Sequence, residues 1–281
     1  MNSPLHIGAQ LPTSKGFEAA LDQAQSLGLN CLQLFSKSPR QWKAAPLDET
    51  KTRNFTQKWR ESGFGPLVIH DSYLINLAAP VDETREKSVA AMIDEIERAH
   101  VLGADFLVTH CGAHLGSGEE AGVERLAQSL QICLEKTADL GVKIALENTC
   151  AQGTCLGGPF WHIGKVLQKL QNPRLVVCFD SCHAHAAGHD LGENLEGVLS
   201  DFDAQIGLEN LAVIHFNDGK GALGKHLDRH EHIGEGQLGK AALRGLLNHP
   251  KTRDLPFILE TPEVETQIAK NIAAVRELRA V

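Results

Sequence analysis

An unbroken alternation of apolar, strand-like runs with helical segments predicts a (β/α)8 TIM barrel, one domain spanning residues 1–281. Two further observations refine this: the first points to a sheet covered on both faces, and the second favours a closed barrel over an open doubly wound sheet. Several strands are apolar throughout, as strands covered on both faces are. Six of them end in a residue able to bind a metal, which fits a barrel because its strand ends share one rim, the carboxyl-terminal rim where active sites lie.

The first strand is predicted over residues 6–10. Residues 17–27 follow as a helix with apolar side chains at 17, 20, 21, 24 and 27, and Gly28 closes it. Residues 31–35 form the second strand, and residues 47–62 a polar-faced helix stopped by Gly63. The third strand, 66–70, leads to a long helix over 81–102. Asp82 and Glu83 in its first turn complement the helix dipole, and Gly103 ends it. The fourth strand is 106–110, the next helix 119–140, and the fifth strand 142–147. A helix over 160–170, a strand over 175–180 and a helix over 194–206 follow. A strand over 211–216, a helix over 238–247, a strand over 256–260 and a helix from 264 to the end complete eight units. No linker or low-complexity tract interrupts them.

The segment from Leu175 to His183 sets the pattern for the site. Leu175, Val176, Val177 and Cys178 run toward Asp180, and His183 follows three residues later. Alone, Asp180 reads as a helix cap or turn residue. The same event recurs, however. Val68-Ile69 runs into His70, Leu107-Val108-Thr109 into His110, and Ile144-Ala145-Leu146 into Glu147. Val213-Ile214 runs into His215 and Phe257-Ile258-Leu259 into Glu260. Imidazole and carboxylate together suit zinc, manganese or iron. Six such groups exceed the needs of one tetrahedral ion, and a carboxylate can bridge two.

His183, with Asp228 and His230 on the long loop over 217–239, supplies three protein ligands for a third ion with an open position. The nine ligands carry four carboxylates, so three divalent ions would leave the site near +2 and able to hold an anion. Hydrolysis of a phosphodiester is the chemistry that most needs this arrangement. His6, His100, His162 and His249 read as ordinary core or surface histidines. Cys111, Cys150 and Cys182 lie near candidate ligands but read as small apolar fillers.

Composition bounds the setting. The chain has 281 residues, 42% hydrophobic and 22% charged, as an ordinary globular protein does. The opening Met1-Asn-Ser-Pro-Leu-His6 is unlike a signal peptide, and no apolar run approaches membrane-spanning length. Seven cysteines without CxxC spacing fit a reducing compartment, so a cytoplasmic protein with no membrane partner is expected. The net charge of −8 argues against a general basic nucleic-acid footprint, but bound divalent ions would create a local positive site.

The runs His70-Asp-Ser-Tyr-Leu-Ile-Asn-Leu77, Glu147-Asn-Thr149, Asp180-Ser-Cys-His-Ala-His-Ala-Ala-Gly188, His215-Phe-Asn-Asp218 and Asp228-Arg-His-Glu-His-Ile-Gly234 carry a resemblance. They resemble, in order and over the whole chain, the endonuclease IV family of apurinic/apyrimidinic endonucleases. The resemblance implies a trinuclear zinc site, with manganese able to substitute. His70, His110 and Glu147 would hold the first zinc. Glu147 would bridge to a second, completed by Asp180, His215 and Glu260. His183, Asp228 and His230 would hold the third. Glu147 and Glu260 are then the catalytic carboxylates.

The resemblance further implies a base excision repair enzyme acting on double-stranded DNA. Such an enzyme cuts the backbone 5′ to an abasic site, leaves a 3′ hydroxyl and trims blocked 3′ ends. It would be a monomer of bacterial type, meeting the nucleoid through its substrate. Family members bend the DNA and flip the abasic nucleotide into the pocket. Ser38-Pro-Arg-Gln-Trp42 and Tyr73-Leu74 resemble the family's DNA-penetrating loops. Arg40, Tyr73 and Leu74 would enter the minor groove and fill the gap left by the missing base. Trp42 reads equally well as packing on the rim.

The chain departs from the family pattern at Cys111-Gly112, where Pro-Gly is usual, and at His185 and His189, where aromatic residues are more usual. These two histidines are expected to perturb the third zinc's surroundings or compete as ligands. Two other readings compete with the whole. A metal-dependent sugar isomerase or epimerase needs fewer ligands and no DNA loops. A non-catalytic lesion binder needs no third metal with an open position.

Overall fold

In the computed structural model, which describes residues 5–279, eight parallel strands form a barrel wrapped by helices. The barrel strands are β1 (Ile7–Ala9), β2 (Leu32–Phe35), β3 (Leu67–His70), β4 (Phe106–His110), β5 (Lys143–Glu147), β6 (Leu175–Asp180), β7 (Leu211–His215) and β10 (Phe257–Leu259). They neighbour one another in chain order, and β10 lies between β7 and β1. Gln10 pairs with Gln33, and the Leu11 N–H donates to the Gln33 carbonyl at 3.1 Å, which closes β1 onto β2. The remaining two strands, β8 (Asp218–Gly219) and β9 (His230–Glu231), form an antiparallel hairpin outside the barrel.

The helices are α1 (Phe17–Ser26), α2 (Glu49–Ser62), α3 (Asp82–Leu102), α4 (Glu119–Lys136), α5 (Phe160–Leu170), α6 (Ser181–Ala187), α7 (Leu195–Gln205), α8 (Gly239–Asn248) and α9 (Val264–Arg279). Their apolar faces bury residues such as Leu21, Phe55, Met92, Leu126 and Phe202 against the outside of the barrel. Burying each such side chain contributes roughly 1.5–3 kcal/mol.

Side-chain alternation decides what fills the inside. Val68, Val108, Ala145, Val176, Cys178, Val213, Ile258 and Cys31 form a dry inner layer. That layer is full at Gly8: a Cβ there would sit 2.7 Å from Ile258 Cδ1. Two residues further along each strand, the inward positions become polar. The register aligns His110 with Glu147 and Asp180 with His215, so candidate ligands from adjacent strands stand side by side. The barrel is thus closed below by apolar packing and open above at a polar rim.

The predicted elements are present with shifted ends. The helix expected over 119–140 stops at Lys136, because the Thr137 hydroxyl donates to the Cys133 carbonyl and the chain turns there. The last barrel strand is Phe257–Leu259 rather than 256–260, since Pro256 has no N–H to pair. Three elements were not anticipated: α6 directly after Asp180, a single 3-10 turn at Leu208–Asn210, and the β8–β9 hairpin within the long loop. The reading of residues 1–4 and the extension of the last helix to residue 281 lie outside the described residues.

Candidate functional site

All nine residues singled out as ligands meet at the rim, in three groups. His70, His110 and Glu147 form one group. Glu147, Asp180, His215 and Glu260 form the second, and His183, Asp228 and His230 the third. Within each group the ligand atoms lie within 4.8 Å of one another.

Glu147, buried at the end of β5, is the centre. His70 Nε2 and His110 Nε2 lie 3.4 and 3.2 Å from its Oε2. His183 Nδ1 and His215 Nδ1 lie 3.2 and 3.0 Å from its Oε1. Burial alone would raise its pKa, but His215, His110 and His183 outweigh it and hold the carboxyl well below the usual range. Glu260 behaves likewise: burial opposes ionisation, yet His215, 3.1 Å away, helps bring its pKa down to about 2. His183 brings Asp228 to about 2. The imidazoles move the other way. Burial disfavours the His70 cation, but Glu147, Glu260 and Asp71 together lift its pKa to about 9. His183 and His215 are raised well above the ordinary histidine value against the same desolvation, by Asp180 for the first and by Cys178, Glu260 and Glu147 for the second. The cluster therefore demands positive charge at its centre.

The donor set fits metal ions. Glu147 Oε2 and His230 Nε2 are buried without any hydrogen-bond partner. His70 Nδ1 faces the Asp71 carbonyl at 3.0 Å, His183 Nδ1 the Asn148 carbonyl at 3.0 Å, and His230 Nδ1 the Glu260 carbonyl at 2.9 Å. His215 Nε2 faces Gln33 Oε1 at 2.8 Å. A carbonyl only accepts, so in each neutral imidazole the proton sits on that nitrogen. The other nitrogen is left as a lone pair facing the carboxylates, the usual arrangement behind a metal-bound histidine.

Backbone structure positions these groups. Asp180 Oδ1 accepts from the His183 N–H at 2.7 Å and caps α6, while Oδ2 accepts from Asn217 Nδ2 at 2.7 Å and faces His230 and His215. One oxygen thus caps the helix while the other faces the candidate ligand cluster. The Asn217 side chain also accepts from the Glu260 N–H at 2.8 Å. Asn148 bonds the backbone of Asp180 on both sides, and Gln33 Nε2 donates to Glu260 Oε1 at 2.6 Å. Asp218 accepts from the N–H groups of Gly219, Gly234, Gly236, Leu238 and Gly239, which fixes the loop carrying Asp228 and His230. A Cβ at Gly236 would lie 2.4 Å from Asp218 Oδ1, so glycine is required there. Sequence reasoning missed Gln33, Asn148, Asn217 and Asp218 as supports. Asn148 and Asn217 follow ligands within two residues, a proximity that could have marked them.

The candidate interface residues flank this centre. Tyr73 is 60% exposed, with its ring 5.6 Å from Phe35 and 5.7 Å from His70. Arg40 is exposed and Leu74 half-buried. Their two loops are joined, because Ser72 Oγ and the Tyr73 N–H both donate to the Pro39 carbonyl. Trp42 instead packs on the rim, with Lys87 Nζ 4.3 Å from its ring centroid. A cleft of about 490 Å³ opens between the Tyr73 loop and the long loop, lined among others by His70, Tyr73, His110, Lys220, Asp228 and Arg229.

A buried ionic network anchors the Arg40 loop from behind. Lys37 pairs with Asp94 and, at 3.4 Å, with Glu95 of α3, while Ser36 Oγ donates to Glu95 and Arg98 donates to the Ala45 carbonyl. Glu95→Ala should destabilise the fold by about 3 kcal/mol, because it leaves the buried Lys37 with Asp94 as its one carboxylate partner and takes the acceptor from Ser36 Oγ. Denaturant titration checks this, and an unchanged midpoint would mean that Asp94 alone satisfies Lys37.

The histidine departures resolve differently from the expectation. His189 stacks on Phe160 at 4.0 Å between centroids and faces the Gly158 carbonyl, so it packs as an aromatic ring rather than as a ligand. His185 is buried, its pKa lowered by desolvation, and neither histidine joins a candidate ligand group among the described residues. Cys182 lies within ligand reach of Asp180 and His230, but burial pushes its thiol pKa upward. Burial raises the Cys111 thiol as well. Gly112 takes φ +78 beside it, the turn that the sequence departure put in question.

The family model of xylose isomerase-like TIM barrels matches residues 21–278. A probable endonuclease 4 from Chloroflexus aurantiacus is 41% identical over 277 residues, 97% of each chain. One from Methanoculleus marisnigri is 41% identical over 276 residues, 97% of this chain and 98% of the relative. The crystal structure of endonuclease IV from Thermus thermophilus superposes with a TM-score of 0.88 at 35% identity, covering 98% of this chain and 99% of that one. With identity of this level running the length of the barrel, the chain belongs to the endonuclease IV family.

Proposed function

We propose that this chain, a DNA-cleaving hydrolase of the endonuclease IV type, hydrolyses the phosphodiester 5′ to an abasic site in duplex DNA. It leaves a 3′ hydroxyl and also trims blocked 3′ ends. The observation that carries this reading is the convergence of nine ligand residues in three groups beside an exposed tyrosine loop. His70, His110 and Glu147 would hold one zinc, Glu147, Asp180, His215 and Glu260 a second, and His183, Asp228 and His230 a third, with manganese able to substitute. Bound there, the ions supply Lewis acidity and an activated water for phosphodiester hydrolysis.

The protein's own groups do the rest. Glu147 and Glu260 hold the imidazoles in register, while the carbonyls behind His70, His183 and His230 fix which nitrogen is free. Lys220 and Arg229 line the cleft and attract the DNA backbone, offsetting a net charge of −8. Arg40, Tyr73 and Leu74 enter the minor groove, and the flipped sugar-phosphate occupies the cleft. The rim must stay free for bent DNA, so the working unit is a monomer folded as one domain. No helix among the described residues is long and apolar enough to cross a membrane. We place the protein in the bacterial cytoplasm, at the nucleoid through its substrate.

The test is cleavage of a duplex with one abasic site against the same duplex intact, before and after chelation. A single cut 5′ to the lesion, abolished by chelator and restored by zinc, is the expected result. A protein that holds three zincs and leaves the lesion uncut would move the activity to another phosphoester. Tyr73→Ala should weaken binding to the abasic duplex about tenfold, the usual worth of one stacked base contact. Its zinc content should stay unchanged. Loss of zinc would show instead that the ring supports His70.

A further inference from the structure

We infer that Gln10 is a specificity residue whose side-chain carbonyl accepts a hydrogen bond from the hydroxyl that an abasic sugar carries at C1′. The inference rests on the abasic-site reading above. It starts from register. Gly8 pairs with Ile258 and Ala9 with Leu259, and the Gln10 N–H donates to the Leu259 carbonyl at 2.8 Å. Gln10 therefore stands level with Glu260, and its Cα pairs with Gln33 on the other side. Gly8 faces the inner layer of the barrel, so alternation turns Gln10 inward as well. It lines the same cleft as His70, Tyr73 and Glu260.

Its neighbours at that level are committed. Gln33 spends its carbonyl on His215 and its amide on Glu260. Gln10 is different: its Oε1 is buried and has no hydrogen-bond partner. A buried carbonyl without a donor costs on the order of 1–3 kcal/mol, so such a group is retained where a ligand completes it. The ligand must bring a donor. Phosphate oxygens bring none at neutral pH, and a normal nucleotide has a base at C1′. The ring-closed abasic sugar has a hydroxyl there, so one acceptor at this level distinguishes the lesion chemically from every intact nucleotide. A site built to pair a hydroxyl also discriminates strongly against an analogue lacking it.

The experiment compares two duplexes, one with a natural abasic site made by uracil excision and one with a tetrahydrofuran residue that lacks the C1′ hydroxyl. Steady-state kcat and KM are measured for the wild type and for Gln10→Met, which keeps length and volume but has no carbonyl. The wild type should favour the natural lesion in kcat/KM by about tenfold, the worth of one good hydrogen bond. In Gln10→Met that preference should collapse toward unity, chiefly through KM, with zinc content equal to the wild type. A preference that survives in Gln10→Met overturns the inference. So does loss of zinc, which would make Gln10 a support for Glu260. If the wild type cuts neither duplex, the abasic-site reading itself fails and takes this inference with it.

Discussion

Glu147→Gln should lower cleavage of an abasic duplex on the order of a thousandfold, and bound metal should fall from three ions per chain toward one. The geometry gives the reason. Each Glu147 oxygen faces two imidazole nitrogens, His70 and His110 on one side and His183 and His215 on the other. A carboxamide has the same shape but offers one acceptor and one NH2 donor. Whichever way it turns, all four imidazoles lose their anionic partner: two meet an NH2 donor and two a weaker, neutral carbonyl. The charge that outweighs the desolvation of His70 and helps lift its pKa to about 9 disappears as well. Two of the three ligand groups contain Glu147, while the group of His183, Asp228 and His230 does not, so one ion should remain. Metal analysis and turnover on the same preparation test this. Turnover near wild type, or loss of all three ions together, would remove Glu147 from the shared position between two groups.

The same residue shows how much of the molecule is legible in sequence. Glu147, His70, His110, Asp180, His215 and Glu260 were readable because each ends an apolar run, and a barrel gives such ends one common rim. Strand position thus carried the site more reliably than any local motif. His183, Asp228 and His230 needed their long loop to fold back, and what holds it there is the Asp218 carboxylate bonded to five backbone N–H groups, a contact no periodicity announces. Gln33 and Gln10 were hidden for a related reason. Each is a single polar residue in or at the end of an otherwise apolar strand, and only the register between β1, β2 and β10 shows that both face inward. α6 was missed because it spans seven residues and is fixed by its Asp180 cap rather than by an apolar stripe. Arg40, Tyr73 and Leu74 came from resemblance, and the joined loops through Pro39 give that grouping a physical basis that sequence spacing could not.

Chelation of all metal should abolish cleavage and lower the melting temperature on the order of 10 °C or more, while the far-ultraviolet circular dichroism of a helix-rich barrel persists. The two parts of the prediction rest on different layers of the protein. The outer core and the dry inner layer of Val68, Val108, Ala145 and their neighbours contain no ligand residue, so the barrel keeps its main source of stability. The rim does not. Glu147, Asp180 and His215 are fully buried, and without ions their charges can be balanced only by protons taken up on the imidazoles. A ligand that binds only the folded state, present at about a thousandfold over its Kd, adds about 4 kcal/mol. For a domain of this size each kcal/mol is worth roughly 2 °C, so even one or two tightly held ions give the stated shift. Scanning calorimetry before and after chelation, and after adding back zinc, reads it directly. A melting temperature that stays put while metal analysis shows none bound would mean the rim residues pair with one another as stably as with a cation, and the unpartnered Glu147 Oε2 and His230 Nε2 would then need another explanation.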